Sequence, residues 1–187
     1  MKPIVLLIVA FVVVYTYLTL HYRKPGSVAP YQDVKERIRD SQAGYQKRVT
    51  LEVSRPTDGR TVPTAVADAP GGLPPDLQAT FVFPPVLPAE IGAVAAGPSW
   101  EAGQPYVIQF DCRLDDVNAQ LSGAHLYLKG AAATVVTDFE PLPAGLAART
   151  RSNMVRLTVP AGALDPGAYR WTLVGARGSK TWPVQVH

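Results

Sequence analysis

Residues 106–114 read YVIQFDCRL, and this stretch decides the fold class because its side chains alternate between two faces. Every second position is apolar: Tyr106, Ile108, Phe110, Cys112 and Leu114. The positions between them are Val107, Gln109, Asp111 and Arg113. A period of two residues is typical of a β-strand with one face on a core and the other toward solvent.

The same alternation recurs in the C-terminal part of the chain. Six further strands are predicted at residues 78–83, 124–129, 134–139, 154–159, 168–175 and 180–186. Seven short strands within residues 77–187 match an all-β, immunoglobulin-like β-sandwich in number and length. Apolar residues make up 47% of the chain and charged residues 18%, which excludes a wholly disordered protein.

A turn before the penultimate predicted strand supports the sandwich. Residues 164–169 read LDPGAY, the pattern of a tyrosine corner, in which the Tyr169 hydroxyl bonds to upstream backbone. Trp171 stands where an antibody domain has its second cysteine. Because Cys112 is the single cysteine of the chain, we expect no internal disulfide and a domain held together by packing alone.

Residues 1–24 are predicted to form a transmembrane anchor. Residues 3–20, PIVLLIVAFVVVYTYLTL, carry no charge and approach the ~20 residues that cross a bilayer as a helix. The alternative is a cleaved signal peptide with its site at residues 27–29, but the apolar stretch exceeds the usual ~7–15 residues and Pro30 follows that site. We therefore expect a single-pass protein of the bacterial inner (cytoplasmic) membrane. The positive-inside rule nearly balances Lys2 and the α-amine against Arg23 and Lys24, so we expect an extracytoplasmic C-terminal domain because a two-residue leader holds little in the cytosol.

Two segments link the predicted anchor to the sandwich. Residues 25–47 are predicted to form a juxtamembrane helix and stalk, with the helix at residues 31–40. Its cations are Lys35, Arg37 and Arg39. They either face solvent or contact anionic lipid headgroups. Residues 48–76 are predicted to hold a strand at 48–54 and then a Pro- and Gly-rich linker.

Four residues are candidates for binding a metal ion. Cys112 lies on the apolar face of its strand and His125 on the polar face of another, so we interpret the first as core and the second as surface. A copper site of His125, Met154 and His187, or one using Cys112, remains the alternative, although no ligand spacing motif supports it. We predict no metal and no cofactor.

No catalytic motif is present, which favours a protein that is not an enzyme. A nucleophile elbow, a zinc-protease helix motif and a phosphate-binding loop are all missing from the sequence. The cluster of Asp111, Asp115 and Asp116 is interpreted as a turn, with calcium binding or acid–base chemistry as the alternative. The net charge of +3 includes three cations within residues 1–24, so we expect no basic patch for nucleic acid.

The layout of anchor, short polar helix and β-domain resembles the FixH-type accessory proteins of cbb3-type cytochrome oxidases. The resembling segments are residues 22–24 with Tyr31, residues 42–45 before the strand at 49–53, residues 121–128, and residues 167–171. The resemblance implies a membrane-anchored assembly or accessory factor beside a respiratory oxidase and its copper delivery. It carries over no catalytic residue.

The sequence therefore predicts a non-enzymatic membrane protein whose β-sandwich binds or positions a protein partner. An accessory or assembly subunit of a respiratory, cbb3-type oxidase complex is the specific version. The alternatives are an envelope adhesion or scaffold module and a periplasmic copper-binding domain. Trp100, Trp171 and Trp182 are expected to pack in the core or at a sheet edge, and one exposed tryptophan would mark a partner surface.

Overall fold

The computed structural model describes residues 11–12, 14–17, 31–56, 65–116, 118–142 and 151–187. The chain divides into two compact units, residues 1–34 and 35–187. In the first unit, residues 11–12 and 14–17 are helical, and the Phe11 and Tyr15 rings stack with centroids 6.1 Å apart. The rest of the predicted anchor lies outside the described residues. Within the described part of the chain, no helix combines the length and the apolar character that a bilayer span requires.

Helix α1 (Tyr31–Gln42) confirms the helix predicted after the anchor. The Ala43 amide donates to the Arg39 carbonyl, and Gly44 then adopts a φ of 84°, which ends the helix in the left-handed conformation that glycine tolerates. The Tyr45 amide donates to the Asp40 carbonyl at 2.9 Å and directs the chain into the first strand.

Strands dominate the described part of the second unit and form two sheets. They are β1 (Lys47–Thr50), β2 (Glu52–Ser54), β3 (Ala67–Pro70), β4 (Glu90–Ala96), β5 (Ser99–Trp100), β6 (Tyr106–Arg113), β7 (Ala119–Lys129), β8 (Ala132–Pro141), β9 (Ser152–Val159), β10 (Gly167–Leu173) and β11 (Gly178–Val186). The larger sheet has the order β1-β7-β8-β10-β11-β3, with β5 also on β11, and the smaller sheet has the order β2-β9-β6-β4. The prediction of an all-β, two-sheet protein is confirmed.

Two strand pairs in the larger sheet are parallel. β8 pairs with β10 from Ala132 to Val135, and β5 pairs with β11 at Gln185 and Val186. Immunoglobulin sheets are described as antiparallel. The parallel pairing in the larger sheet therefore departs from the immunoglobulin arrangement, although the two sheets still enclose one core.

The segment predicted as one strand at residues 48–54 contributes to both sheets. β1 pairs with β7 in the larger sheet, and β2 pairs with β9 in the smaller one. Leu51 stands between the two strands, is 3% exposed, and donates its amide to the Ala124 carbonyl at 2.9 Å. The sandwich therefore begins upstream of residue 77, where the sequence places its start.

The predicted strand at residues 78–83 is wrong. A short helix, α2 (Pro75–Gln78), ends there, and a turn follows it. Pro75 favours the first helical turn, and the Asp76 carboxylate accepts the Leu77 amide at 2.9 Å, so the local chemistry starts a helix. Strands β3, β4 and β5 lie in segments where the sequence predicts no strand. β3 and β5 are only four and two residues long, and a register shift interrupts β4 between Ile91 and Val94, so none of them shows a clear alternation.

The main core lies between the two sheets and centres on aromatic side chains. Trp171 is fully buried, and Trp100, Tyr106 and Trp182 surround it. The ring centroid of Tyr106 lies 5.4 Å from that of Trp171, and the centroid of Trp182 lies 6.3 Å from it. All three tryptophans are core residues, as the sequence predicts, so none of them marks a partner surface.

Candidate functional site: the outer face of the larger sheet

The outer face of the larger sheet is covered over only part of its area. Residues 71–89, which include α2, lie across it and enclose a second apolar cluster. The buried members of that cluster are Tyr45, Leu77, Tyr127, Val136 and Val174. Tyr127 lies on the same face of β7 as His125, which the alternation assigns to the polar side, but Tyr127 is 1% exposed. The covering segment explains the difference, because it turns a surface position into a core position.

A charged contact fastens the covering segment to the sheet. The Lys129 ammonium donates to Asp76 Oδ2 at 2.5 Å and lies 5.4 Å from the Tyr45 ring centroid. The hydrogen bond from Lys129 lowers the pKa of the Asp76 carboxyl. Burial, followed by the nearby Asp76 charge, raises the pKa of Tyr45. These groups therefore hold α2 against β7, and the tyrosine stays neutral at physiological pH.

The loop at residues 81–88 is fixed at both ends, and its tip is exposed. The Phe81 ring meets the Tyr127 ring edge-on with centroids 5.7 Å apart. The Val86 amide donates to Asp138 Oδ1 at 3.0 Å, and the Val86 carbonyl accepts the Phe139 amide at 3.1 Å. Between Phe81 and Val86 the side chain of Phe83 is 68% exposed, and the side chain of Val86 is 52% exposed although its backbone is bonded. The tip is therefore an apolar projection that the fold holds in place.

The uncovered part of the outer face forms a groove of about 380 Å³. It is lined by Pro98, Ala131, Ala168, Tyr169, Arg170, Pro183, Val184 and Gln185. Ala168, Arg170 and Pro183 are exposed. The groove therefore offers small apolar side chains with one guanidinium among them, a mixture suited to a peptide segment with an apolar residue and a carboxylate.

The turn before β10 is a tyrosine corner, as predicted. The Tyr169 hydroxyl donates to the Asp165 carbonyl at 3.0 Å. A small pocket of about 230 Å³ lies beside it, lined in part by Lys47, Asp165 and Tyr169. The Lys47 ammonium donates to the Ala163 carbonyl at 2.9 Å, so the start of β1 is bonded to the segment before this corner.

The candidate metal ligands are not brought together. His125 faces outward from the larger sheet, where its Nδ1 lies 3.4 Å from Thr50 Oγ1. Met154 lies on the smaller sheet and is 40% exposed. Cys112 is buried in the main core, as predicted, and burial raises the pKa of its thiol to about 12. His187 is exposed and follows the end of β11. Among the described residues no group of three or more His, Cys, Asp and Glu side chains is placed to hold a metal ion.

The aspartates at the end of β6 take part in turns and surface ion pairs. Asp115 accepts from the Arg177 guanidinium at 2.5 Å, and Arg177 also contacts Glu90 at 3.0 Å. Asp116 Oδ1 accepts the Asn118 amide at 2.8 Å, which is the turn role that the sequence suggests. The Arg177 contacts join the β10–β11 hairpin loop to the neighbouring strands, and Asp115 and Asp116 both have structural partners. Asp111 is an exposed residue within β6.

No family model, no curated protein and no solved structure matches the chain. The resemblance to FixH-type accessory proteins therefore stays a prediction. Sequence reasoning did not identify the groove around Arg170 or the tip at Phe83 and Val86. Pro84 and Pro85 were visible as a break in the strand pattern, and that break was the one local signal for the exposed tip.

Proposed function

We propose that this chain is a non-enzymatic membrane protein whose extracytoplasmic, immunoglobulin-like body binds a protein partner. The body would be tethered by one N-terminal span to the bacterial cytoplasmic membrane. A respiratory membrane complex of the cbb3-type oxidase class is the specific partner that the sequence resemblance favours. The confirmed tyrosine corner supports the immunoglobulin-like description, while the parallel β8–β10 pair makes the body a variant of that architecture.

The observation that carries this proposal is the uneven covering of the larger sheet. The chain covers Tyr127 and Val136 with its own segment, yet leaves the neighbouring groove around Ala168 open. A shallow, open groove with an apolar lining beside a covered surface leaves space for a partner segment. The uneven covering favours binding at the groove over a purely structural role for this face.

The chemistry of the groove defines the partner segment. Ala131, Ala168 and Pro183 have short or rigid side chains, so they leave room for an apolar side chain and lose little entropy on binding. Arg170 presents a planar donor that suits a carboxylate. We therefore expect a partner segment that pairs an apolar residue with an Asp, a Glu or a chain terminus.

The test is recovery of the partner complex from membranes in mild detergent. The tagged full chain is compared with Ala168→Arg, which fills the groove, and with Val107→Arg, a matched change at an exposed position of the smaller sheet. We expect the parent and Val107→Arg to recover a haem-containing membrane complex, measured by its absorbance and oxidase activity. Ala168→Arg should recover at least about tenfold less, the loss expected for one central interface residue.

Two results would contradict the proposal. Recovery of no membrane complex by the parent chain removes the respiratory version. Equal recovery by Ala168→Arg and Val107→Arg removes the groove as the binding surface. Circular dichroism of each purified variant confirms that the comparison is made between folded proteins.

A further inference from the structure

We infer that the tip of the 81–88 loop, together with the exposed stripe of α1, docks the β-sandwich onto an anionic phospholipid surface. This inference rests on the membrane tethering proposed above. It assigns phospholipid to a second surface, whereas the groove is proposed to bind a protein segment. The two surfaces are called here the lipid-docking patch and the groove. The lipid-docking patch consists of Lys35, Ile38, Arg39, Phe83 and Val86.

The first argument is that the apolar tip is held outward by the fold. Phe81 packs on Tyr127, while Leu87 is half-buried against the second apolar cluster. The backbone of Val86 makes hydrogen bonds to Asp138 and Phe139. With its flanks fixed in this way, Phe83 remains 68% exposed. An exposed phenylalanine at the tip of an anchored loop pays little ordering entropy when it enters another apolar phase.

The second argument is that α1 places cations beside the tip. Lys35, Ile38 and Arg39 are spaced three and four residues apart, so they form one stripe of the helix, and all three are exposed. The Arg39 guanidinium reaches the Phe81 carbonyl, with Nη1 and the oxygen 3.4 Å apart. The helix stripe and the loop are therefore continuous at Arg39, and the patch combines two cations with three apolar side chains.

The third argument concerns the chemistry of the surface that such a patch fits. An aromatic side chain and aliphatic side chains flanked by Lys and Arg are the composition of interfacial membrane contacts. The apolar side chains enter the headgroup boundary, and each cation near an anionic leaflet contributes about fivefold in binding. A protein interface core, by contrast, is depleted in lysine.

The fourth argument is the short reach of the tether. Residues 21–30 separate the uncharged segment at 3–20 from α1. Fully extended, they span at most about 35 Å. A body confined so closely to a bilayer has a high local concentration of lipid around it, so weak docking by a few side chains suffices.

The experiment uses the full chain reconstituted into vesicles, with one environment-sensitive fluorophore. Val86→Cys carries the label, and Val107→Cys is the matched control, an exposed valine on the other sheet. Cys112 is 3% exposed and the pKa of its thiol is raised to about 12 by burial, so the introduced cysteine reacts selectively. Vesicles of phosphatidylcholine alone are compared with vesicles that also contain phosphatidylglycerol, and brominated lipids report contact by quenching.

We expect the label at position 86 to shift to shorter wavelength and to lose most of its emission to brominated lipid. The effect should be larger with phosphatidylglycerol and absent at position 107. Lys35→Glu should reduce the quenching several-fold, because one favourable charge becomes unfavourable. Arg170→Glu, a charge reversal in the groove, should leave the quenching unchanged. Phe83→Cys provides a second labelling site if Val86→Cys yields too little folded protein.

Several results would overturn the inference. If vesicles shift and quench the label equally at positions 86 and 107, the lipid-docking patch does not contact lipid. A shift that follows protein density at constant lipid composition assigns the patch to a second copy of the chain. A shift that appears only on adding the partner complex assigns it to that protein. Resistance of the chain to carbonate extraction tests the tether separately, so a tethered chain with an unshifted label contradicts the docking alone.

Discussion

The Tyr169 hydroxyl donates to the Asp165 carbonyl at 3.0 Å and closes the turn that leads into β10. β10 carries Trp171, the fully buried centre of the main core, two residues further on. The corner therefore fixes the entry of the strand on which the aromatic core is built. Its contribution to stability is the first quantity to measure.

Replacing Tyr169 by Phe removes this hydrogen bond and keeps the ring. We expect the free energy of unfolding to fall by about 1 kcal/mol, the usual net value of one hydrogen bond. Urea denaturation of the detergent-solubilised chain, followed by tryptophan fluorescence, measures it. Tyr169→Ala should cost more, because Tyr169 also packs on the core. Equal stability of Tyr169→Phe and the parent would show that the corner is dispensable.

A glycine determines how the covering segment meets the sheet. A methyl group at Gly71 would lie 2.3 Å from the Arg177 carbonyl carbon and 2.6 Å from the Ala176 oxygen, and both are backbone atoms that cannot turn aside. We expect Gly71→Ala to destabilise the protein by about 1–3 kcal/mol through overpacking. Gly103→Ala is the control, since a methyl group there meets nothing within 4 Å. Urea unfolding measures both variants. Similar unfolding midpoints for Gly71→Ala and Gly103→Ala would contradict the close packing of Gly71 on the backbone of residues 176–177.

The second apolar cluster should matter for stability, and the exposed tip should not. Leu77 lies in α2 and is fully buried in the second apolar cluster, so Leu77→Ala is expected to cost about 2–5 kcal/mol. Phe83→Ser changes an exposed side chain, and its effect is expected to stay within about 0.5 kcal/mol. Thermal or urea unfolding distinguishes them. A large loss for Phe83→Ser would mean that the tip is part of the core.

The buried thiol of Cys112 predicts a pH dependence at alkaline pH. Its ordinary pKa is 9.0, and burial raises the pKa to about 12 in the folded protein. Between these values the unfolded chain releases a proton that the folded chain keeps, so stability is present below pH 9 and falls as the pH rises toward 12. Cys112→Ala should show a shallower loss across this window in urea titrations. If the free energy of unfolding falls equally with pH in the parent and in Cys112→Ala, the Cys112 thiol does not cause the alkaline loss of stability.

Thiol labelling gives an independent measurement of the same burial. At neutral pH we expect Cys112 to react with a maleimide only as fast as the protein opens, because the thiolate is both scarce and covered. The rate should rise sharply in denaturant. Fast labelling under native conditions would contradict the placement of Cys112 between the sheets.

The strands with strict alternation were predictable from the sequence. In residues 106–114 every second side chain enters the core, so the apolar pattern predicts the strand directly. Tyr127 could not be assigned this way, because the segment that buries it lies some 50 residues earlier in the chain. The pattern at 78–83 failed for a local reason, since Pro75 and Asp76 start a helix there.

The candidate surfaces were less predictable than the fold. The groove joins Pro98, Ala131, Ala168 and Pro183 from four separate parts of the chain, and none of these residues carries a recognisable motif. The lipid-docking patch needs α1 to meet the 81–88 loop at Arg39, a contact across 42 residues. The sequence shows the cations of α1 and the proline break at residues 84–85 separately, but only tertiary packing brings them together. The groove has no local signal in the sequence, because all of its parts come from distant segments.

Leu51 lies at the point where one extended segment leaves the larger sheet and enters the smaller one. Because β1 and β2 are consecutive parts of one segment, Leu51 joins the two sheets covalently at this edge. Sliding one sheet past the other would stretch that segment, so the crossing keeps the two sheets aligned over their shared core.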